Sequence, residues 1–159
     1  MNDQNPIISD DFLKQCYAHG VESYPEEACG FISGSSSDQL HMDTLHPMEN
    51  LMNLHHERDP ENFPRTNKDG YLMDPRKQMK LERTLKKAGS KIKIIYHSHP
   101  DVGAYFSEKD QEDALWNGEP RTPGVDFLVC AVTDGKPDGA VLFSFDESTK
   151  AFKVKQSYS

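Results

Sequence analysis

Ile92-Lys93-Ile94-Ile95-Tyr96-His97-Ser98-His99-Pro100, followed after a short loop by Ser107-Glu108-Lys109-Asp110, is the stretch on which the rest of the chain depends. The residues before His97 are largely β-branched and apolar, the composition of a buried strand. Successive strand residues face opposite sides, so His97 and His99 point the same way. Pro100 cannot donate to a ladder, and the strand is expected to end there. Ser107 is a good helix N-cap with Glu108 behind it, and the polar run to Trp116 reads as helix. Asp110 falls one turn into that helix, on nearly the same face as Ser107.

Two imidazoles and a carboxylate make a donor set suited to zinc. Three protein ligands leave a fourth position for water, which separates a catalytic zinc from a closed structural one. A bare His-x-His pair at a strand end reads more simply as two polar residues. The Ser-x-x-Asp at the start of the following helix shifts the reading to His97, His99 and Asp110 as metal ligands.

His97-Ser98-His99-Pro100 followed by Ser107-x-x-Asp110 resembles the signature of the JAMM (MPN+, also JAB) metalloprotease family. That family carries an upstream glutamate before a Cys-Gly or similar pair, and Glu27-Ala28-Cys29-Gly30-Phe31-Ile32-Ser33-Gly34 matches it. The resemblance runs from about Phe12 to about Val154. It implies an α/β fold, a curved mixed β-sheet flanked by helices in one domain. It also implies catalytic roles: Glu27 as general base, passing a proton from water to the leaving amine, and Ser107 as hydroxyl donor to the oxyanion. Zinc lowers the pKa of bound water from about 15.7 to about 7, so the reaction is amide hydrolysis without a covalent enzyme intermediate.

The substrate implied is a ubiquitin-like or sulfur-carrier protein, cut after its C-terminal glycine to release a cysteine or short extension. Small bacterial stand-alone members of the family act this way, and the chain carries none of the flanking domains of eukaryotic deubiquitinases. Removal of a ubiquitin-like protein from lysine, a non-catalytic MPN scaffold, and the DNA-repair-associated RadC branch are the alternatives. A cupin, a zincin and a cytidine deaminase are each disfavoured: no suitably spaced glutamate, no His-Glu-x-x-His and no Cys-x-x-Cys is present.

The chain has 159 residues, enough for one core. Its net charge of −8 argues against nucleic acid as a partner, since phosphate binding needs a basic footprint. The three cysteines, Cys16, Cys29 and Cys130, are an odd number without close pairing, which disfavours a disulfide framework and a four-cysteine zinc site. No signal peptide and no apolar run long enough for a membrane span is visible, and the expected location is cytoplasmic.

Elsewhere, Ser9-Asp10-Asp11 opens a helix whose stop is expected near Gly20, ahead of Pro25. Ala28–Ser33 and about Gln39–His46 read as a hairpin. Glu26 and Glu27 point to opposite faces, and Glu26 reads as a surface carboxylate. About 50–74 reads as a long irregular insertion, a clamp over the substrate tail or a homodimer contact, with His55 and His56 exposed or packed within it. Asp74-Pro75 opens a helix burying Met79, Leu81, Leu85 and Ala88, with a basic solvated face. Val125–Val132 reads as a central strand containing an inert Cys130. Ala140–Phe145 and Ala151–Val154 follow, and the residues from Gln156 onward are expected to fray.

Overall fold

The computed structural model describes residues 7–159. Residues 1–6, which include the segment read for a signal peptide, lie outside that range. A six-stranded sheet forms the centre, with strands β1 (Cys29–Ser35), β2 (Thr44–Met48), β3 (Ser90–Pro100), β6 (Asp126–Thr133), β7 (Lys136–Asp146) and β8 (Ala151–Tyr158). Their order is β2-β1-β3-β6-β7-β8. β3 and β6 pair in parallel and every other neighbour is antiparallel, so the sheet is mixed. The two parallel strands are the innermost, and both are buried along most of their length because both faces are covered.

Helix α1 (Asp10–Ser23) lies on one face, where Phe12, Leu13 and Cys16 pack with Ile94, Tyr96, Leu128 and Cys130. The other face holds Phe31, Ile95, Phe127, Val129, Phe143 and Phe152. α3 (Pro75–Lys87) and α4 (Glu108–Ala114) close that side through Leu81, Leu85 and Ala114. Along β3, Ile94 and Tyr96 therefore belong to one core and Ile95 to the other. Period-two alternation carries His97 and His99 onto the face of Ile95, and Ser98 onto that of Tyr96.

Several expectations need correction. α1 ends at Ser23, between Gly20 and Pro25 as expected, but Gly20 has a further role: an added Cβ there would sit 3.0 Å from Val132 Cγ2 and 3.1 Å from Ser98 Cβ. The glycine is a point of close approach between helix and sheet. The second hairpin strand starts at Thr44 rather than about Gln39. The turn is extended by the Leu40 N–H donating to Asp38 Oδ1 (3.1 Å) and the Ser35 N–H donating to His41 Nδ1 (3.0 Å). Met79 is half-exposed, and α3 buries no residue completely. The helix after Ser107 stops at Ala114. Leu115–Trp116 (β4) then pairs with Glu119–Pro120 (β5). The C-terminal segment pairs with β7 as far as Tyr158, whose hydroxyl accepts from the Ile8 N–H at 3.0 Å.

The segment 50–74 is better ordered than its sequence suggests. It contains α2 (Met52–Arg58) and a set of asparagine hydrogen bonds. Asn50 Oδ1 accepts from the N–H groups of Met52 (3.0 Å) and Leu72 (3.1 Å), drawing the two ends of the segment together. Asn53 and Asn67 each accept the other's backbone N–H at 2.8 Å. His55 packs on Phe63 and His56 Nδ1 lies 2.7 Å from Phe63 O, so both histidines serve the segment itself.

Candidate metal and catalytic site

His97 is fully buried and His99 is 4 % exposed, both at the end of the central strand β3. Their Nε2 atoms are 3.1 Å apart. Asp110 Oδ2 lies 3.4 Å from His97 Nε2 and 3.5 Å from His99 Nε2. The carboxylate is placed by a capping box: the Asp110 N–H donates to Ser107 Oγ and the Ser107 N–H donates to Asp110 Oδ2, both at 3.0 Å. α4 is in turn tied to β8 by Gln111, whose amide exchanges hydrogen bonds with the Phe152 backbone at 2.9 and 3.0 Å.

Three acceptor-rich atoms converge here. His99 Nδ1 is 3.0 Å from Gly103 O. A carbonyl can only accept, so Nδ1 carries a proton and Nε2 is the ring nitrogen turned to the cleft. Burial pushes the His97 pKa down, and the neighbouring Asp110 carboxylate works in the opposite direction. Burial works against the charge on Asp110, but His97, His99 and the Ser107 N–H outweigh it and hold the carboxyl well below its usual range. Two lone pairs and a carboxylate oxygen within this separation repel unless a proton or a cation lies between them. Ligands at 2.0–2.1 Å from a tetrahedral metal would be about 3.3–3.4 Å apart. The observed separations fit a divalent ion of that size.

Glu27 stands at the entrance to β1, 7 % exposed. One of its carboxylate oxygens, His97 and His99 all offer donor atoms within 4.8 Å of one another. Both that trio and the trio containing Asp110 could hold a metal. The tighter spacing of the trio containing Asp110 favours it as the ligand set, leaving Glu27 beside it. Burial, then the charges of Asp110 and Asp69, push the Glu27 carboxyl up to about 9, with Arg65 opposing. A dication bound alongside would act in the same direction as Arg65.

Ser98 does not reach the cleft. Its side chain points to the opposite face, and its Oγ accepts from the Ala28 N–H at 2.8 Å while its own N–H donates to Ala28 O at 3.0 Å. It thereby fixes the residue after Glu27 beside the strand carrying the histidines. The segment 50–74 holds Glu27 from the other side: the Glu27 N–H donates to Asn67 O (2.7 Å) and Asn50 Nδ2 donates to Glu27 O (3.0 Å). Glu26 is also no free surface group, since Asn53 and Asn67 each donate to its carboxylate at 3.3 Å. Tyr71 stacks on the His97 ring, with centroids 4.4 Å apart.

Glu27, His97, His99, Ser107 and Asp110 thus come together. Ser98, Asn50, Asn67, Tyr71 and the Gly103 carbonyl are additions from the structure. Only Ser98 carried a local signal, as the odd-face polar residue in an apolar strand. The cleft has a volume of about 120 Å³. It opens beside a larger groove of about 860 Å³ lined by Phe63, Met73, Arg121 and Phe127, and the two share Met52, Arg65, Tyr71, Lys109 and Asp113.

Residues 9–144 match the Prok-JAB family, the prokaryotic homologs of the JAB domain. The chain belongs to the JAB-domain family. It is 30 % identical over 130 residues to a desampylase from Haloferax volcanii, covering 82 % of this chain and 76 % of the relative. It is 31 % identical over 107 residues to the CysO-cysteine peptidase of Mycobacterium tuberculosis, covering 65 % of this chain and 62 % of that one. A probable TtuB-protein conjugate cleaving protease from Thermus thermophilus is 29 % identical, covering 72 % and 64 %. Among solved structures, a protein from Desulfitobacterium hafniense superposes with a TM-score of 0.66 at 21 % identity, covering 93 % of this chain and 88 % of its own. One from Salinibacter ruber gives 0.61 at 25 % identity, covering 93 % and 87 %. No helix among the described residues is long and apolar enough to cross a membrane.

Proposed function

We propose that this JAB-family chain is a zinc peptidase that hydrolyses the amide bond after the C-terminal glycine of a ubiquitin-like or sulfur-carrier protein. The observation that carries this is the convergence of His97 Nε2, His99 Nε2 and Asp110 Oδ2 at 3.1–3.5 Å in a buried cleft, with the Glu27 carboxylate beside them. Those three atoms are the proposed ligands. Zinc, when bound, supplies Lewis-acid polarisation of the scissile carbonyl and acidifies water.

The chain's own groups account for the remaining chemistry. Glu27 holds the proton taken from the attacking water at its carboxylate and returns it to the leaving amine. Ser107 Oγ already accepts from the Asp110 N–H, so its hydroxyl proton is free to be donated to the developing oxyanion. The Gly103 carbonyl fixes the His99 tautomer. The groove beside the cleft accommodates an extended tail that places the glycine carbonyl near Ser107. The relatives' names support a carrier-protein substrate.

The test is elemental analysis of the wild type and of Glu27→Gln, paired with cleavage of a ubiquitin-like carrier extended beyond its terminal Gly-Gly. About one zinc per chain in both proteins, with cleavage reduced roughly 10²–10⁴-fold in the variant, is expected. A fully active, zinc-loaded Glu27→Gln enzyme would remove the assigned base. Absence of zinc from carefully prepared wild type would point to a binding module. A second reading, release of a ubiquitin-like protein from a conjugate, has the name of the Thermus relative behind it.

A further inference from the structure

The cleft contains two cations that the proposed chemistry does not use. Arg65 and Lys68, both on the turn that closes the 50–74 segment, line it together with Glu27, His99 and Ser107. Neither makes an ion pair among the described residues. Arg65 spends Nη1 on the Asp69 carbonyl at 2.7 Å, which holds the guanidinium in place and leaves the rest of its fork of donors free. The Lys68 side chain is exposed and makes no hydrogen bond among the described residues.

The other charges facing the cleft are those of Lys109, Asp113, Asp69 and Asp110, and the negative charge of Asp69 is felt at Glu27. Lys109 pairs with Asp113 at 3.0 Å. Asp69 Oδ1 accepts from the Thr66 N–H at 2.8 Å within its own turn. Asp110 is engaged with the two histidines and Ser107. Arg65 lines the same cleft as Glu27, and its positive charge opposes the rise of the Glu27 carboxyl.

We propose that Arg65 and Lys68 form a receptor for the free α-carboxylate of the leaving residue, so that the preferred substrate is a carrier protein ending in a single amino acid after its glycine. This rests on the peptidase reading above. In an α-amino acid the carboxylate oxygens lie about 3 Å from the amine nitrogen. A leaving amine that takes its proton from Glu27 therefore brings its carboxylate to the cations beside Glu27. Lys68 lines the cleft but not the larger groove, whereas Arg65 stands at their junction. With the carrier's tail in the groove, the leaving residue occupies the cleft side, where Lys68 lies. An amide on a lysine ε-nitrogen brings no carboxylate there, because the α-carbon is a full side chain away and its carbonyl is tied in a peptide bond. Guanidinium recognition of a carboxylate is bidentate and charge-assisted, so it discriminates the free acid from its carboxamide.

The experiment compares two semi-synthetic carriers that differ only at the end: Gly-Gly-Cys with a free carboxylate, and Gly-Gly-Cys carboxamide. The zinc-loaded wild type should prefer the carboxylate by roughly 10–100-fold in kcat/KM, mainly through KM because the contact exists in ground and transition states alike. The ratio should fall towards 1 in Arg65→Gln and be reduced in Lys68→Gln. Thermal unfolding and zinc content check Arg65→Gln; Lys68→Gln carries the result if Arg65→Gln misfolds, since the Lys68 side chain supports nothing in the fold. Equal rates on the two carriers in wild type would overturn the receptor while leaving the peptidase intact. A preference that survives in both variants would overturn the assignment to these residues. Failure of the zinc-loaded wild type to cut either carrier would overturn the peptidase reading, and the receptor with it.

Discussion

Replacing Ser98 with Ala tests whether the site is positioned from the side of the sheet that substrate never reaches. Ser98 is 2 % exposed, as is Ala28, and the Ser98 hydroxyl is the acceptor for the Ala28 N–H at 2.8 Å. Without it that buried N–H has no partner. Water is a poor substitute, because Ala28 O is already occupied by the Ser98 N–H and a water there would find too few polar neighbours. The cost of an orphaned buried donor is about 1–3 kcal/mol. For a chain of this length that corresponds to a fall in Tm of about 2–12 °C. The second consequence is catalytic. Ala28 follows Glu27, and relaxation of its backbone by about 1 Å would reduce turnover on the order of 10²-fold. The assays are thermal unfolding, zinc content and cleavage rate on the same preparation. Loss of stability and turnover with zinc retained is expected. A Ser98→Ala protein within 0.5 kcal/mol of wild type and fully active would refute the argument, showing that the strand pairing alone positions Glu27.

Two further outcomes follow from the packing of α1. Gly20→Ala gains helix propensity of about 1 kcal/mol, but the new methyl meets Val132 Cγ2 at 3.0 Å and Ser98 Cβ at 3.1 Å. Both neighbours sit on central strands and neither can yield, so net destabilisation of roughly 1–2 kcal/mol is expected in denaturant titration; a stabilised variant would show that the helix can slide. His19, whose Nδ1 lies 2.8 Å from Tyr96 Oη, has its pKa lowered by burial against the effect of Glu22. The unfolded chain therefore binds more protons near the ordinary histidine pKa of about 6.5. The His19 contribution to stability is present above that pH and is lost as the pH falls below it. His19→Gln should flatten the wild-type dependence of unfolding free energy on pH over that window; parallel curves would show that His19 titrates normally.

Much of the candidate site was legible because it is local. His97 and His99 share a face by the geometry of any strand, and Ser107 and Asp110 meet through the capping box that their spacing encodes. The resemblance of Glu27-x-Cys29-Gly30 to the JAMM pattern supplied the distant member. What failed locally failed for identifiable reasons. Gly20 marks only the neighbourhood of a helix end until its close approach to Val132 and Ser98 is known. Gln156–Tyr158 looks like a tail until β7 offers it a partner. The 50–74 segment lacks periodicity because asparagine side chains, rather than apolar packing, order it, and their partners lie many residues away.

By itself, then, the sequence determined the residue types, their order and the short-range geometry: a strand presenting two imidazoles, a helix start presenting a hydroxyl and a carboxylate, and a glutamate ahead of another strand. Backbone periodicity and capping rules are properties of neighbouring residues, so they can be read without the fold. Tertiary structure alone decided that Cys29 pairs beside His97, that Ser98 and Asn67 grip the backbone around Glu27, and that Arg65 and Lys68 face the cleft. Those contacts join residues separated by tens of positions. Their strength comes from burial, which removes the competing water and makes each hydrogen bond and charge felt by its neighbours.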